Sequence, residues 1–405
     1  MIFYSNLINL MNEKTRILST VSMYHALNDG TVAVIPILFP IFKTIFNLSY
    51  TEIGIITGGG LLLSIIAQLM IGRISDGKNS QTLLSLGILI ISISLLLLTK
   101  TKGFFSLLLL MFFLRLGASF FHPIGTGWIS RIFKKDKLDW AMGIQSGFAD
   151  IGAFIAISTT LFISEINSWD YPLYFWSFAG GLIIISGIYL TINIKDNFLI
   201  VKKTQKKQTI KEAINESAIF LKKIKLLIPA FIISGSCWGV VVTYLPLLLN
   251  QRTELSLATI GLVVSIWIGI GSISSFYYGK ICNSLGRKNV IYLSYLTIGI
   301  TSVMLAYFTD ITIIILIMIS LGTTAFITFP ALASFISEIT HETVEGKTFG
   351  TIFTLQLGGS TLYLFFGGVL SDIFGIWIPF MLLGVTTLLF SGVLFVYRKK
   401  PFVLE

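Results

Sequence analysis

The stretch FFSLLLLMFFLRLGASFFHPIGTGWISRI, residues 104–132, places an arginine and a histidine inside a run of apolar residues. A helix of this length crosses the hydrocarbon core of a bilayer, which is roughly 30 Å thick. Ionisable groups at membrane depth are costly and usually face a partner, a cavity or a transport pathway. Spacings of four, three and four put four polar residues of the stretch on one helix face: Arg115, Ser119, His122 and Thr126. The stretch therefore predicts a membrane-spanning helix that contributes to a functional site.

The composition of the whole chain agrees with this first helix. The 405 residues are 54% hydrophobic and 12% charged, with a mean hydropathy of +0.87, whereas soluble domains average about a quarter charged residues. The chain is therefore predicted to be a polytopic membrane protein. Its apolar runs leave no segment long enough for a soluble domain with its own core, so any chemistry must take place within or between membrane helices.

Twelve apolar runs are long enough to span a bilayer as helices, which predicts an all-α membrane protein. They cover residues 17–43, 50–72, 82–99, 104–132, 140–164, 171–193, 224–250, 256–279, 289–308, 311–338, 347–371 and 375–397.

The basic residues predict the orientation of these helices. With the N-terminus inside, the loops on the cytoplasmic side hold 24 of the 29 Lys and Arg residues. The positive-inside rule then places both termini in the cytoplasm of a multi-pass cell-membrane protein. The same distribution explains the net charge of +10 without a nucleic-acid partner, and none is expected. The N-terminal residues lack a signal-peptide cleavage pattern, so no cleaved leader is expected.

A basic segment, residues 195–223, separates two predicted six-helix bundles, residues 1–194 and 224–405. The segment is predicted to be a cytoplasmic linker, with an amphipathic surface helix around Ile210 to Leu221. A lipid-binding basic patch is the alternative function for it.

Two pairs of motifs lie 207 residues apart and indicate an internal repeat. GRISD, residues 72–76, matches GKICN, residues 279–283, after the second helix of each bundle. PIGTGWIS, residues 123–130, matches PALASFIS, residues 330–337, at the end of the fourth helix. Six helices followed by six in the same orientation predict a parallel repeat about an axis along the membrane normal.

These motifs resemble the signature of the major facilitator superfamily, in which Gly, three residues, Asp and a basic turn follow the second helix. The copy GRISDGKNS keeps Gly72, Arg73 and Asp76, and the copy GKICNSLGRK keeps the basic residues but has Asn283 at the acidic position. The resemblance implies twelve helices in two six-helix pseudo-repeats and a cytoplasmic gate of helix-end residues. The residues assigned to this gate are Gly72, Arg73, Asp76, Arg131, Gly279, Lys280, Arg287 and Glu338. The alternative is that these basic loops only set the topology.

Three short elements are similar to the fosmidomycin-resistance branch of drug exporters within this superfamily. They are HALND in the first helix, residues 25–29, FHP in the fourth, residues 121–123, and the glycines of the fifth helix. Arg115 also resembles the arginine of proton-antiporting members. The fifth helix, GIQSGFADIG, has glycines without the proline of the antiporter pattern.

Three charged residues lie near the middle of their helices, namely Asp29, Arg115 and Asp150. A carboxylate at this depth suits proton coupling because burial and a neighbouring cation shift its protonation in opposite directions. Either aspartate is a candidate proton carrier. The alternative is a fixed Arg115–Asp150 ion pair that only stabilises the bundle.

The remaining candidates are polar or aromatic. His25 and His122 are assigned to the coupling site, with hydrogen bonding to backbone carbonyls as the alternative. No metal site is predicted, because His25, Asp29 and His122 form no compact ligand cluster in the sequence, and only two cysteines are present. The second bundle offers candidate cavity residues suited to an apolar or aromatic solute: Trp238, Tyr244, Trp267, Thr324, Thr328 and Gln356.

The sequence thus predicts a secondary transporter that exports a small organic solute in exchange for protons by alternating access. Proton-coupled uptake is the second hypothesis, and a receptor or membrane-embedded enzyme is the third. No catalytic residues and no cofactor are predicted, because no nucleophile and base pair emerges and the proton gradient supplies the energy. The expected partners are solute, protons and lipid, and a monomer is expected.

Overall fold

The computed structural model describes residues 12–75, 77–194, 210–339 and 345–397, and within these ranges all regular structure is helical. We number fifteen α-helices in chain order. They are α1 Glu13–Ile37, α2 Phe39–Ile45, α3 Tyr50–Ile74, α4 Ser80–Leu98, α5 Phe104–Ala118, α6 Gly127–Ile132, α7 Lys135–Ile166, α8 Tyr171–Thr191, α9 Ile210–Lys223, α10 Ile228–Arg252, α11 Leu257–Leu285, α12 Arg287–Tyr307, α13 Ile311–Ile339, α14 Glu345–Phe374 and α15 Ile378–Tyr397. A π-helical turn, His122–Thr126, joins α5 to α6.

Among the described residues, eleven helical segments are long and apolar enough to span a membrane, and a bent pair brings the number up to twelve. The bent pair is α1 and α2, which meet at 42°. The sequence predicted a single run here, but Pro36 and Pro40 lie on either side of the break at Leu38. A proline removes a backbone donor and clashes with the preceding turn, which accounts for the break.

Short polar side chains begin several of the helices. Asn12 accepts a hydrogen bond from the backbone N–H of Thr15 at 2.9 Å, and Asn79 accepts one from Thr82 at the same distance. Ser256 caps α11 in the same way through Thr259. Each cap satisfies a backbone donor that has no partner inside its own helix.

The helices group into two compact units. Of the described residues, the first unit comprises 12–47, 63–75 and 77–194, and the second comprises 48–62, 210–339 and 345–397. In the first unit α1 packs on α7, and α4 packs on α5 and α8. In the second, α10 packs on α14, α11 on α13, and α12 on α13 and α15.

The N-terminal half of α3 therefore groups with the second unit, although the sequence assigned residues 1–194 to one bundle. The boundaries predicted for the bundles stay a prediction. Within the predicted linker, α9 forms where the sequence suggested an amphipathic helix, and residues 195–209 lie outside the described residues.

Close packing of α1 on α7 depends on a glycine of the fifth predicted span. A Cβ added to Gly152 would collide with the backbone of Ala26. Of the glycines that the sequence placed in this helix, Gly152 thus allows close contact between the helices.

Candidate functional site

The middle of α1 carries a polar group inside the first unit. His25 and Asp29 are four residues apart, so they lie on one face of the helix. The Nε2 atom of His25 lies 3.4 Å from Oδ2 of Asp29. The amide of Asn28 donates to Oδ1 of the same carboxylate at 2.9 Å. The Asp29 side chain remains 31% exposed, so both a partner and solvent reach it.

The imidazole of His25 is held from two sides. Its Nδ1 atom lies 3.0 Å from the backbone oxygen of Gln145 on α7, and a carbonyl can only accept, so Nδ1 carries the proton. Its ring stacks on Phe121 with 4.1 Å between ring centroids. The remaining atom, Nε2, is buried and has no hydrogen-bond partner among the described residues.

His122 reaches this group through the π-helical turn. Its ring lies 5.5 Å from that of His25 and is nearly perpendicular to it. Pro123 removes one backbone donor from the turn, and the hydroxyl of Thr126 donates to the carbonyl of His122. Single π-helical turns inside α-helices are frequent at functional sites.

Arg115 completes the group, which we call the charged cluster: His25, Asp29, Arg115 and His122. Both the Arg115 guanidinium and the His122 imidazole interact electrostatically with Asp29. The Nε atom of Arg115 is buried without a hydrogen-bond partner in the described part of the chain. Asp150 is half-buried on α7. Arg115 is thus electrostatically coupled to Asp29 on α1, and the alternative of a fixed Arg115–Asp150 ion pair stays a prediction.

The sequence suggested no compact ligand cluster of His25, Asp29 and His122, and on this point it is wrong, whereas the absence of a metal site stays a prediction. The three side chains do form a compact set of ligand atoms, all within 4.8 Å of one another. The chain separates His122 from the other two by about a hundred residues, and only the packing of the fourth span against α1 brings them together.

The second unit presents aromatic rings. Trp238 packs on Trp267 with 5.0 Å between ring centroids, and Phe326 lies 5.3 Å from Trp267. Trp267 is fully buried and its Nε1 atom has no hydrogen-bond partner among the described residues, whereas Trp238 is half-buried. Of the aromatic cavity candidates on α10 and α11, Trp238 is therefore the accessible one.

The other cavity candidates of the second unit are largely engaged in packing. Tyr244 is fully buried and donates its hydroxyl to the carbonyl of Leu364, which ties α10 to α14. Gln356 is buried on α14 beside Gly235. Thr324 and Thr328 bond to carbonyls of their own helix. Thus Tyr244, which the sequence assigned to a cavity, is a packing residue in this structure.

The N-terminal end of α3, in the second unit, is capped by an aspartate that the sequence did not reveal. Asp372 on α14 accepts hydrogen bonds from the backbone N–H groups of Tyr50 and Thr51, both at 2.8 Å. The Thr51 hydroxyl donates to the same carboxylate at 2.6 Å. Ser49 and Glu52 form a reciprocal capping box at the same end.

The predicted cytoplasmic gate is described in part. Arg131 donates to the Ser80 hydroxyl at 2.9 Å, and Gly72 lies beside Pro123. Arg287 lies over the ring of Phe335 at 5.1 Å, and Lys280 lies over Tyr277 at 5.8 Å. A Cβ on Gly279 would meet no atom within 4 Å. Asp76 lies outside the described residues, as do the side chains of Arg73 and Glu338, so the latch stays a prediction.

The chain is similar in sequence to several transporters and resistance proteins. A stretch of 110 residues is 33% identical to the uncharacterized MFS-type transporter YfnC of Bacillus subtilis (strain 168), which is 27% of each chain. Multidrug resistance protein 2 of the same strain is 23% identical over 92% of both chains. The fosmidomycin resistance protein of Escherichia coli (strain K12) is 22% identical over 72% of this chain and 71% of that one.

A solved structure shares the fold. A bacterial homolog of the human lysosomal transporter Spinster superposes with a TM-score of 0.79 at 13% identity, over 98% of this chain and 99% of that one. The sequence profile described as Major Facilitator Superfamily matches residues 21–362. With twelve predicted spans, a repeat at 207 residues and this match over most of its length, the chain belongs to the Major Facilitator Superfamily of transporters.

Proposed function

We propose that this transporter exports a small organic solute across the cell membrane in exchange for protons, by alternating access. The charged cluster is the observation that carries the proposal. His25 contacts the Asp29 carboxylate, His122 and Arg115 interact with it electrostatically, and that carboxylate is partly exposed. A carboxylate at membrane depth that is stabilised by neighbouring cations is suited to taking up and releasing a proton as its surroundings change.

Asp29 is the better of the two candidate proton carriers. Its carboxylate contacts His25 at 3.4 Å and Asn28 at 2.9 Å, and it interacts with Arg115. When Asp29 binds a proton, the attraction between this carboxylate and Arg115 is lost. The protonation state is thereby linked to the contact between α1 and α5, which a conformational cycle can use.

Export rather than uptake is supported by the relatives. Two of them carry the names multidrug resistance protein and fosmidomycin resistance protein. The accessible Trp238 of the second unit suits an aromatic or apolar solute. Uptake by proton symport uses the same cluster and is the alternative.

The remaining parts of the proposal follow from the sequence. Both termini lie in the cytoplasm, and the protein acts as a monomer. Asp76 and the basic residues near it close the cytoplasmic side as a latch, because a carboxylate is favoured at a helix N-terminus and pairs with Arg or Lys. No nucleic acid, metal cofactor or other cofactor is needed for this cycle.

The test is a flux assay on the purified protein in lipid vesicles that contain a candidate drug or metabolite. An acidic exterior drives protons inward, so exchange accelerates release of the solute, whereas symport accelerates its entry. We expect Asp29→Asn to remove the response to the gradient. The matched control is Asp139→Asn, which neutralises an exposed aspartate of α7 and should leave the flux unchanged.

Asp150 is tested in the same assay. If the double variant Asp29→Asn with Asp150→Asn kept gradient-driven flux, neither carboxylate would carry the proton. Exchanging the residues at positions 115 and 150 addresses the ion-pair alternative. Activity after the exchange would indicate that the pair is structural, and loss of activity with normal folding supports a direct role.

A further inference from the structure

We infer that His25, Asp29 and His122 form a binding site for a divalent transition-metal ion, for which Zn²⁺ is the test ion. The ligand atoms of the three side chains lie within 4.8 Å of one another. Two imidazoles and one carboxylate are ligands that Zn²⁺ prefers. The inference concerns binding of an ion and therefore goes beyond export of an organic solute.

The pair on α1 already has the separation that a metal requires. Two ligand atoms that each lie about 2.05 Å from a tetrahedral Zn²⁺ are about 3.3 Å apart. His25 Nε2 and Asp29 Oδ2 are 3.4 Å apart. Their spacing of four residues on one helix holds them at this distance without a loop, so the pair is ready to chelate.

The surroundings of His25 are those of a metal ligand. In metal sites the second ring nitrogen of a ligating histidine usually donates to a carboxylate or a backbone carbonyl, which fixes the ring and leaves the other nitrogen for the ion. Here Nδ1 donates to the carbonyl of Gln145, and the ring stacks on Phe121. The side chain is 5% exposed, and Nε2 has no hydrogen-bond partner among the described residues. The Nε2 atom lies 3.4 Å from Oδ2 of Asp29, the second ligand of the proposed site.

His122 supplies the third ligand from a different helix. Its ring is nearly perpendicular to that of His25 at 5.5 Å, and one of its nitrogens lies within 4.8 Å of the other two ligand atoms. The three ligand atoms lie up to 4.8 Å apart, and ligands of one Zn²⁺ lie about 3.3 Å apart, so a ligand atom must move by about 1.5 Å. Rotation of one side chain supplies a shift of that size, and the backbone of the π-helical turn stays in place.

Arg115 makes this site distinctive, because its guanidinium interacts with the same carboxylate. A divalent ion and a guanidinium repel each other, so Arg115 weakens metal binding while it stabilises the empty site. Removal of the positive charge should strengthen metal binding at least about ten-fold, which is the opposite of its effect on transport.

The experiment is calorimetric titration of Zn²⁺ into the purified full-length protein in detergent, after removal of any histidine tag. We expect one ion per chain and no comparable binding of Mg²⁺, which prefers oxygen ligands. His25→Gln and His122→Gln should each weaken binding at least about ten-fold. The matched control is Cys282→Ser, which removes a half-buried thiol, another ligand type for Zn²⁺, and should leave binding unchanged.

Arg115→Gln keeps the test decisive if the histidine variants fail to fold, because a misfolded protein would not bind more tightly. X-ray absorption of the Zn²⁺-loaded protein gives a second readout, with N and O ligands near about 2.0–2.1 Å expected. The inference is overturned by sulfur ligands, by unchanged binding in both histidine variants, or by weaker binding in Arg115→Gln. Since binding is measured without a gradient, it fails or succeeds independently of the flux assay.

Discussion

The fourth span of the first unit and its counterpart in the second unit differ at the residue before a proline. In the first unit His122 precedes Pro123, and the chain forms a π-helical turn that brings the imidazole to Asp29. In the second unit Phe329 precedes Pro330, and α13 continues as one helix, Ile311–Ile339. Proline alone therefore does not produce the π-helical turn.

The residues after the proline explain the difference. PIGTGWIS contains two glycines and Thr126, whose hydroxyl donates to the His122 carbonyl. PALASFIS has Leu332 and Ser334 at the glycine positions and Ala333 at the threonine position. The glycines lower the cost of departing from α-helical geometry, and the Thr126 hydroxyl bonds back to the carbonyl four residues earlier, which often bends helices. The repeat thus shares a scaffold, and small substitutions turn one copy into a charged site.

The largest effect should come from Arg115, because the corresponding position of the second unit, 207 residues later, is Gly322. Arg115→Gln should reduce gradient-driven flux by more than about 100-fold, because Asp29 loses the cation beside it. The measurement is initial flux in vesicles against the imposed pH gradient. The matched change in the second unit, Trp238→Phe, should alter the solute concentration at half-maximal flux and leave the dependence on the gradient intact. Equal loss of gradient dependence in both variants would mean that coupling is not confined to the charged cluster.

The stability of both units should depend on glycines at close helix contacts. A methyl group on Gly152 would collide with the backbone of Ala26, and one on Gly359 would lie 2.9 Å from the backbone of Ile232. Gly152→Ala and Gly359→Ala should therefore each lower the free energy of unfolding by about 3 kcal/mol. Thermal unfolding in detergent measures both.

The control for these two substitutions is Gly181→Ala. A Cβ at Gly181 meets no atom within 4 Å, so stability should be unchanged or higher by up to about 1 kcal/mol, given the better helix propensity of alanine. A large loss in this control would show that substitution of any helix glycine is harmful, and that the contact with Ala26 is not the cause.

Caps at helix N-termini should contribute less to stability. Asp372→Ala removes the acceptor of two backbone donors of α3, and we expect a loss of about 1–2 kcal/mol. Asp310→Ala removes the single bond to the N–H of Ile313 at the start of α13 and should cost about 1 kcal/mol. Comparison of the two unfolding midpoints tests whether the second bond matters, and equal midpoints would contradict it.

The sequence predicted the spans, the repeat and the family, because apolar length and repeated motifs do not depend on which helices become neighbours. It also predicted that His25, Asp29, Arg115 and His122 matter, since each is an ionisable group at membrane depth. It missed the meeting of His122 with Asp29, which depends on how α1 packs against the fourth span. It missed Asp372 for the same reason, as the helix that this residue caps begins 322 residues earlier.

The smallest expected change in stability comes from placing one residue of the second unit at the corresponding position of the first. His122→Phe reproduces the Phe329–Pro330 sequence, and an aromatic ring of similar size should shift the free energy of unfolding by less than about 1 kcal/mol. The same variant should lose Zn²⁺ binding, because a phenyl ring offers no ligand. Phe329→His is the matched control, since it adds an imidazole at a position that is 42% exposed on α13, and neither stability nor Zn²⁺ binding should change. A loss above about 3 kcal/mol in His122→Phe would instead make His122 a structural support of the π-helical turn, and the difference between the two units would then lie in packing as well as in charge.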